Sequence, residues 1–554
     1  MGAPHADAYD IVIVGGGTAG CVLAGRLTED PACRVLLIEA GGRDWNPMIH
    51  IPLGVGKLLR RGVHGWKSFT EPVTGAAGQR LLWPRGRVLG GSSSLNAMIY
   101  HRGGAAEYDL WEAAGATGWG WRDVLPWFLK SEGHVHRNGP LHGQRGPHRV
   151  QRASSGHPLY RAFVDAAREA GHTSNDDLND GTLEGMGVWD FSIHRGRRQS
   201  AAVAYLRPAR RRDNLTVVTR ARVLRIDFDD AADPLRATGI TYRRRGRDIP
   251  VRATREVVLA AGAIGSPHLL QLSGIGDPAA LARVGVPLRH ALPGVGRGLQ
   301  DHVTCELRLA CPQPVTLHSF IRFDRAALAM LQAAVLRTGP AATFPAEGGG
   351  FSRSDPSEPV ADIQWYVNLG MNQSRLRIPG LHPWRPGPFD RDGFTLRTTL
   401  LRPRSRGRVD LASADPLVPP RLTAGYLQDP DDLRRLRLAF RQSREVARQP
   451  ALRPYVTHEL LPGPEVQDDA QIDAYIRSNL TNVHHQSGTC RMGGDAEAVV
   501  DPELRVHGMR GLRVVDASVM PVVTSGGTYA STVMVAERGA QFIRDAAARV
   551  GART

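Results

Sequence analysis

Residues 11–14 (IVIV) form a short, β-branched apolar run, the pattern of a strand buried on both faces in a parallel sheet. Residues 21–27 switch to helical spacing of apolar and polar positions. Residues 35–38 (VLLI) return to an apolar run that ends in Glu39. Between the first run and the helix lies Gly15-x-Gly17-x-x-Gly20, and Glu39 follows Gly20 by nineteen residues. Strand, glycine turn, helix, strand and terminal acid in this order predict a βαβ unit that binds a dinucleotide. The glycines permit a tight turn and close backbone approach to a pyrophosphate. The helix N-terminus faces that charge, and the acid accepts from a ribose hydroxyl.

The same periods recur later. Residues 255–261 (REVVLAA) read as another buried strand that meets a glycine turn at Gly262, and Ser266-Pro267 opens a helix with proline directly after its cap. Residues 362–367 (DIQWYV) alternate like a half-buried strand. Residues 84–103 (PRGRVLGGSSSLNAMIYHRG) hold a small, polar centre, 90–96, between the apolar flanks Val88-Leu89 and Ala97-Met98-Ile99. Those flanks predict burial, and a buried glycine-serine loop needs partners for its amides, which a bound cofactor supplies. The Pro/Arg-rich stretch 375–392 reads as a surface loop or a lid, and no internal repeat is visible.

At 554 residues the chain exceeds what one hydrophobic core supports, so two large lobes are expected. A net charge of +16 raises the question of nucleic acid or an anionic membrane. Only three of the 70 basic residues are lysine (Lys57, Lys67, Lys130), a ratio expected of GC-rich coding. The arginine clusters 207–212 and 243–247 lie near turn signals without interleaved aromatics, which points to a solvated surface and no nucleic-acid partner. Five cysteines without CxxC spacing argue against a disulfide framework and a zinc site. The N-terminus lacks the basic and apolar regions of a signal peptide, and no apolar run reaches the ~18 residues of a membrane span. An intracellular, cytoplasmic protein is expected.

Several motifs carry a resemblance to a known family. They are the first glycine turn with Glu39, GRVLGGSSSLNAMIYHRG from Gly86, GAIGSPHLLQLSGIG at 262–276 and GLQDH at 298–302. LRPRSRGRVDL from Leu401, HHQSGTCRMG from His484 and LRVVDASVMPVVTSGG from Leu512 follow in the same order. The chain resembles the glucose-methanol-choline (GMC) flavin oxidoreductases, nearest to their choline-dehydrogenase-like branch. The resemblance implies an α/β (α+β overall) protein with a Rossmann-like FAD-binding domain and a second, antiparallel-sheet substrate domain. It divides the chain into 1–304, a substrate part at 305–480, and 481–554 closing the FAD domain. FAD is then held at the first turn by Gly15, Gly17, Thr18, Ala19 and Gly20, with Glu39 and Ala40 at the second strand. Trp66, Arg87, Val88, Gly91, Ser92, Asn96, Ala97 and Met98 come from the glycine-serine loop and its approach. Strands within 214–226 bring Val223 to the adenine, and Ala261, Gly262, Asp516, Ala517 and Thr528 complete the set.

The resemblance also implies oxidation of an alcohol to an aldehyde or ketone. A base must take the hydroxyl proton, and histidine suits this because its ordinary pKa of about 6.5 lies near working pH. Of His484 and His485, the family's alignment selects His485, and neighbours on an extended segment point to opposite sides. The family's second position, a histidine or asparagine, falls on Tyr529 in SGGTYAST, with Gly527 in place of another common asparagine. A neutral phenol there is expected to orient the substrate. Where some members carry a flavin-linked histidine this chain has Leu95, so FAD is expected to be non-covalent, with Asn96 facing its ring. Cys490 reads as packing, and Glu347, in EGGGF, is a candidate acid for a quaternary ammonium. The electron acceptor is expected to be a quinone, a carrier or oxygen, with a dehydrogenase favoured over an oxidase. Alternatives within the family are a hydroxynitrile lyase-like enzyme and a photodecarboxylase, and outside it a non-catalytic flavin-binding protein.

Overall fold

The computed structural model describes residues 8–371, 387 and 389–551. Most of the expected loop or lid at 375–392 lies outside the described residues. In chain order, the elements that position the site begin with β1 (Ala8–Val14), α1 (Thr18–Leu27) and β2 (Val35–Glu39). Then come β3 (Gly185–Val188), β4 (Leu215–Thr219), β5 (Arg222–Asp229), β6 (Asp233–Arg244), β7 (Arg247–Leu259) and α2 (Gly262–Leu272). A second run holds β8 (Val303–Ala310), β9 (Gly348–Ser352), β10 (Ile363–Asn368) and β11 (Gly393–Leu400). The chain closes with α3 (Pro430–Arg448), β12 (Glu459–Leu461), β13 (Thr481–Asn482), β14 (Leu512–Val514) and α4 (Thr528–Gly551).

The first sheet runs β4-β2-β1-β7-β6-β5, with β14 on β7. Strands β4, β2, β1, β7 and β14 are mutually parallel, and β5 and β6 add an antiparallel edge. Ile11, Val12 and Ile13 are fully buried, which is why this strand is continuously apolar rather than alternating. Helix α1 packs against α4, so the last helix completes the layer over the first strand. Glu537, fully buried on α4, accepts from Arg26 Nε and Nη2 at 2.8 Å and from the Tyr205 hydroxyl at 2.8 Å. Removing Arg26 would strand the buried Glu537 charge, at a cost of about 3–5 kcal/mol.

The second sheet runs β12-β8-β11-β10-β9-β3, with β13 also on β8, and every pair is antiparallel. It takes β3 from before residue 305 and β13 from after 480. The alternation read at 362–367 is present, but neither face meets solvent. Ile363, Trp365 and Val367 enter a core that also receives Leu433, Leu436 and Phe440 of α3, while Tyr366 and Asn368 face a cavity. The architecture is the α/β arrangement with an antiparallel second sheet that the family resemblance implies.

Candidate active site

A cavity of about 850 Å³ lies between the two sheets, and its wall begins at the first glycine turn. Gly15 has φ +108°, and a Cβ there would stand 2.5 Å from the Ala260 carbonyl oxygen, so only glycine fits. Helix α1 starts at Thr18 with Gly17 as an N-cap that has no side-chain hydrogen bond, and its first turn carries no acid. Its free N–H groups and dipole therefore offer an anion site beside Gly15, Gly17, Thr18 and Ala19, all on the wall. Gly91 (φ +54°) lies on this turn so closely that a Cβ would stand 2.7 Å from Gly17 Cα. Two glycine loops thus form a cradle that any side chain would fill.

Glu39 ends β2 in the same wall. Its carboxylate accepts from the N–H groups of Gly16 (2.9 Å) and Gly41 (2.7 Å). Burial pushes it up to about 7, and those two backbone bonds pull the other way. Farther along, Asp516 is buried and accepts from Gly262 N (2.8 Å), Ser266 Oγ (2.5 Å) and Ser518 N (2.8 Å). Asn96 Oδ1 accepts from Arg198 Nη1 (2.6 Å) and from Met98 N (3.2 Å). Met98 and His484, both on the wall, hold φ of 64° and 67°, a strain that non-glycine residues keep where a site fixes the backbone.

The cavity brings together nearly every residue expected from sequence. Ala40, Trp66, Ser92, Ala97, Val223, Ala261, Gly262, Ala517 and Thr528 line it, as do His485 and Tyr529. Gly20, Arg87 and Val88 stand behind the wall. A Cβ on Gly20 would lie 1.9 Å from the Gly15 carbonyl oxygen, so this glycine lets α1 pack on the turn. Arg87 stacks over the Trp66 ring at 4.6 Å, and Val88 packs with Leu95, Ile49 and Leu58. Glu347 does not line the cavity either. Ser155 and Thr343 close its oxygens from Ser155 N (3.1 Å) and from both hydroxyls, so it is not placed to hold a cation there.

At the other end of the cavity Asp301 organises the segment that carries His485. Buried, it accepts from the backbone N–H of His302 (3.0 Å) and His485 (2.6 Å) and from the side chains of Asn482 (2.8 Å), Gln486 (2.6 Å) and Tyr426. Five donors on one carboxylate fix the 482–486 segment. His485 Nδ1 lies 2.9 Å from His302 Nδ1, and His485 Nε2 lies 3.7 Å from where a Cβ on Gly527 would stand. Burial, with repulsion from His302, Arg85 and His484 added, holds His485 well below the ordinary histidine value. The Tyr529 hydroxyl takes other partners, His148 Nδ1 at 3.0 Å and the Gln199 carbonyl at 3.3 Å. Burial also keeps this phenol neutral. Asp301, His302 and Arg198 were not singled out from sequence. The GLQDH motif was visible, but nothing in its spacing says that its acid and imidazole meet a segment some 180 residues later.

Glu132, His134 and His142 form a second buried group with ligand-like spacing. Its members also contact neighbouring side chains, although His134 Nε2 makes no hydrogen bond. His134 Nδ1 accepts from the N–H of His136 and Arg137, so its proton sits on Nε2, facing Asp190 Oδ2 at 3.4 Å. The Arg102 guanidinium already holds Glu132. Burial would lower His142, but its bonds to Asp177 and Glu132 hold it at about 9.

The glycine cradle, the uncapped helix start and Glu39 fit a dinucleotide of the FAD type. Comparison with known proteins agrees. GMC oxidoreductase family models match residues 9–304 and 403–536. The chain is 42% identical to choline dehydrogenase, mitochondrial, of Homo sapiens, across 98% of this chain and 91% of that protein. It is 38% identical to alcohol dehydrogenase [acceptor] of Pseudomonas putida, across 97% and 95%. Among solved structures, pyridoxine 4-oxidase from Mesorbium loti superposes with a TM-score of 0.85 at 33% identity, covering 96% of this chain and 98% of that one. The chain belongs to the GMC oxidoreductases, and it is an FAD-dependent oxidoreductase that acts on CH–OH groups.

Proposed function

We propose that His485 is the base that takes the hydroxyl proton of an alcohol bound in the cavity. The observation that carries this is the pair of contacts on its ring, Nδ1 on His302 and Nε2 on the cavity side opposite Gly527. Burial takes His302 to about 4, against an opposing pull from the backbone of Leu401, so His302 is neutral at pH 7. We assign the His302 proton to Nε2, so that its Nδ1 accepts from His485 Nδ1–H at 2.9 Å. His485 Nε2 is then left as a lone pair aimed at substrate. Bound FAD supplies the acceptor for the hydrogen and electron pair that leave the carbinol carbon. Gly15, Gly17, Gly91, Glu39 and Asp516 would hold it, and Leu95 offers no nucleophile for a covalent link. FAD should therefore appear in the supernatant after acid precipitation; flavin retained on the peptide would contradict this.

The finer reading is a dehydrogenase whose alcohol is neutral or anionic, with electrons passed to a quinone, a carrier or oxygen. Arg85 and Arg397 line the cavity near His484, whereas Glu347 is turned to Ser155 and Thr343. Arg397 is paired with Glu306 at 3.2 Å, so it is Arg85 that disfavours a quaternary ammonium, although two of the relatives compared are named for choline or alcohol. Tyr529, its hydroxyl engaged by His148, shapes the pocket, and Gly527 leaves room beside the base. The cofactor lobe comprises most of 1–304 and 481–554, with 305–480 over the substrate, joined by the strands at 185–188 and 481–482. A cytoplasmic location accords with five free cysteines. The non-redox alternatives find no support in relatives named dehydrogenase and oxidase. The test is an anaerobic screen of primary, secondary, aryl and anionic alcohols and of choline, scored by bleaching of the flavin. Bleaching by choline alone would overturn the substrate reading, and bleaching by no alcohol would overturn the redox one.

A further inference from the structure

The helix at Phe323–Val335 is apolar on both faces. Ala329 and Ala333 are buried against Ile51 and Ala341, which is the face a packed helix needs. On the opposite side Leu328, Leu331, Val335 and Leu336 are 67%, 60%, 67% and 66% exposed, and Phe323 at the helix start is 53% exposed. Leu328, Leu331 and Val335, spaced three and four residues apart, share one stripe, with Phe323 at the helix start and Leu336 just past its last residue. Three large apolar side chains on one helix face, with two more at its ends, exceed the scattered exposure common on surfaces.

The charges around the stripe have one dominant sign. Arg325 flanks its start and Arg337 its end, while Arg322 is paired with Asp324, the acid of this segment, at 2.8 Å. Arg197 reaches the end of the helix and donates to the Ala334 carbonyl at 3.0 Å, and Arg195 is its exposed neighbour. The whole chain carries +16. An apolar stripe framed by arginines, on a strongly basic protein, is complementary to an anionic lipid surface: acyl chains for the leucines, phosphates for the guanidinium groups. A helix of thirteen residues is too short to span a bilayer, and among the described residues no helix is long and apolar enough to do so. It can lie in the interface plane. The helix also continues directly from Leu317–Ile321, whose Leu317, His318 and Ile321 line the cavity.

We propose that the face formed by Phe323, Leu328, Leu331, Val335 and Leu336 docks the protein peripherally on an anionic bilayer. If the active-site assignment also holds, docking sets the cavity mouth at the lipid surface. The experiment is co-sedimentation of the FAD-loaded protein with vesicles of phosphatidylcholine alone and of phosphatidylcholine with phosphatidylglycerol. The protein should pellet with the anionic vesicles and be released by salt. A Leu328→Gln/Leu331→Gln/Val335→Gln variant with unchanged flavin absorbance and circular dichroism should lose at least about tenfold in partitioning. Arg325→Gln and Arg337→Gln should each lose about fivefold on anionic vesicles alone. Wild-type protein that stays in the supernatant with both vesicles would overturn the proposal. So would undiminished pelleting of the triple variant, or light scattering that shows a dimer which the triple variant turns into a monomer without any lipid binding.

Discussion

The two ring nitrogens of His485, the proposed base, stand in different surroundings. Nδ1 is committed to His302, and Nε2 faces the cavity. Because burial and nearby positive groups depress its pKa, the ring is already neutral well below pH 6.5. The base form exists above the depressed value and is lost only as pH falls through it. The acid limb of kcat/KM should therefore lie clearly below 6.5; a limb at or above 6.5 would mean that a different group acts as base or that His485 is not shielded. At this scale the sequence was informative where chemistry follows a motif and silent where it follows a contact. His485 could be selected from HHQSGTC, whereas the Tyr529 hydroxyl meets His148 and Gln199, a pairing that no spacing encodes.

At the scale of elements, the first glycine turn and the glycine-serine loop act as one device because they touch. Gly91 approaches Gly17 with a backbone that a side chain would strain and block. Gly91→Ala should leave a folded protein that binds FAD at least about tenfold more weakly, since both the positive φ and the 2.7 Å contact oppose it. Flavin absorbance per protein after gel filtration measures this, and wild-type flavin content would contradict it. The βαβ unit was legible because local period and glycine position suffice to define it. The second sheet was legible only as a tendency. Strand β10 alternates as expected, yet its outer face meets the cavity instead of water, and its edge strand β3 comes from more than a hundred residues upstream. Long-range pairing of this kind leaves no mark on local sequence.

Over the whole molecule, buried titratable groups give stability a definite pH dependence. His101, His268 and His302 are pushed to about 4 by burial, and His148 and His484 to about 3. The unfolded chain binds protons at these sites first, so each costs about 2 kcal/mol as pH falls from 7 to 5. Glu39 and Glu107, raised to about 7 by burial, act with the opposite sign and return about 2 kcal/mol each over the same range. Five against two predicts a lower melting temperature at pH 5 than at pH 7 for the FAD-free protein; an equal or higher one would show that the histidines are hydrated. The two-sheet arrangement matters to function because it sets residues from positions 15 and 485 on one cavity wall. The direct test is anaerobic stopped-flow bleaching of the flavin by a turned-over alcohol, comparing the wild type with FAD-loaded His485→Ala. Bleaching slowed by about 10²–10⁴-fold with flavin content unchanged is the predicted result, and bleaching at the wild-type rate would contradict the assignment of His485 as the base.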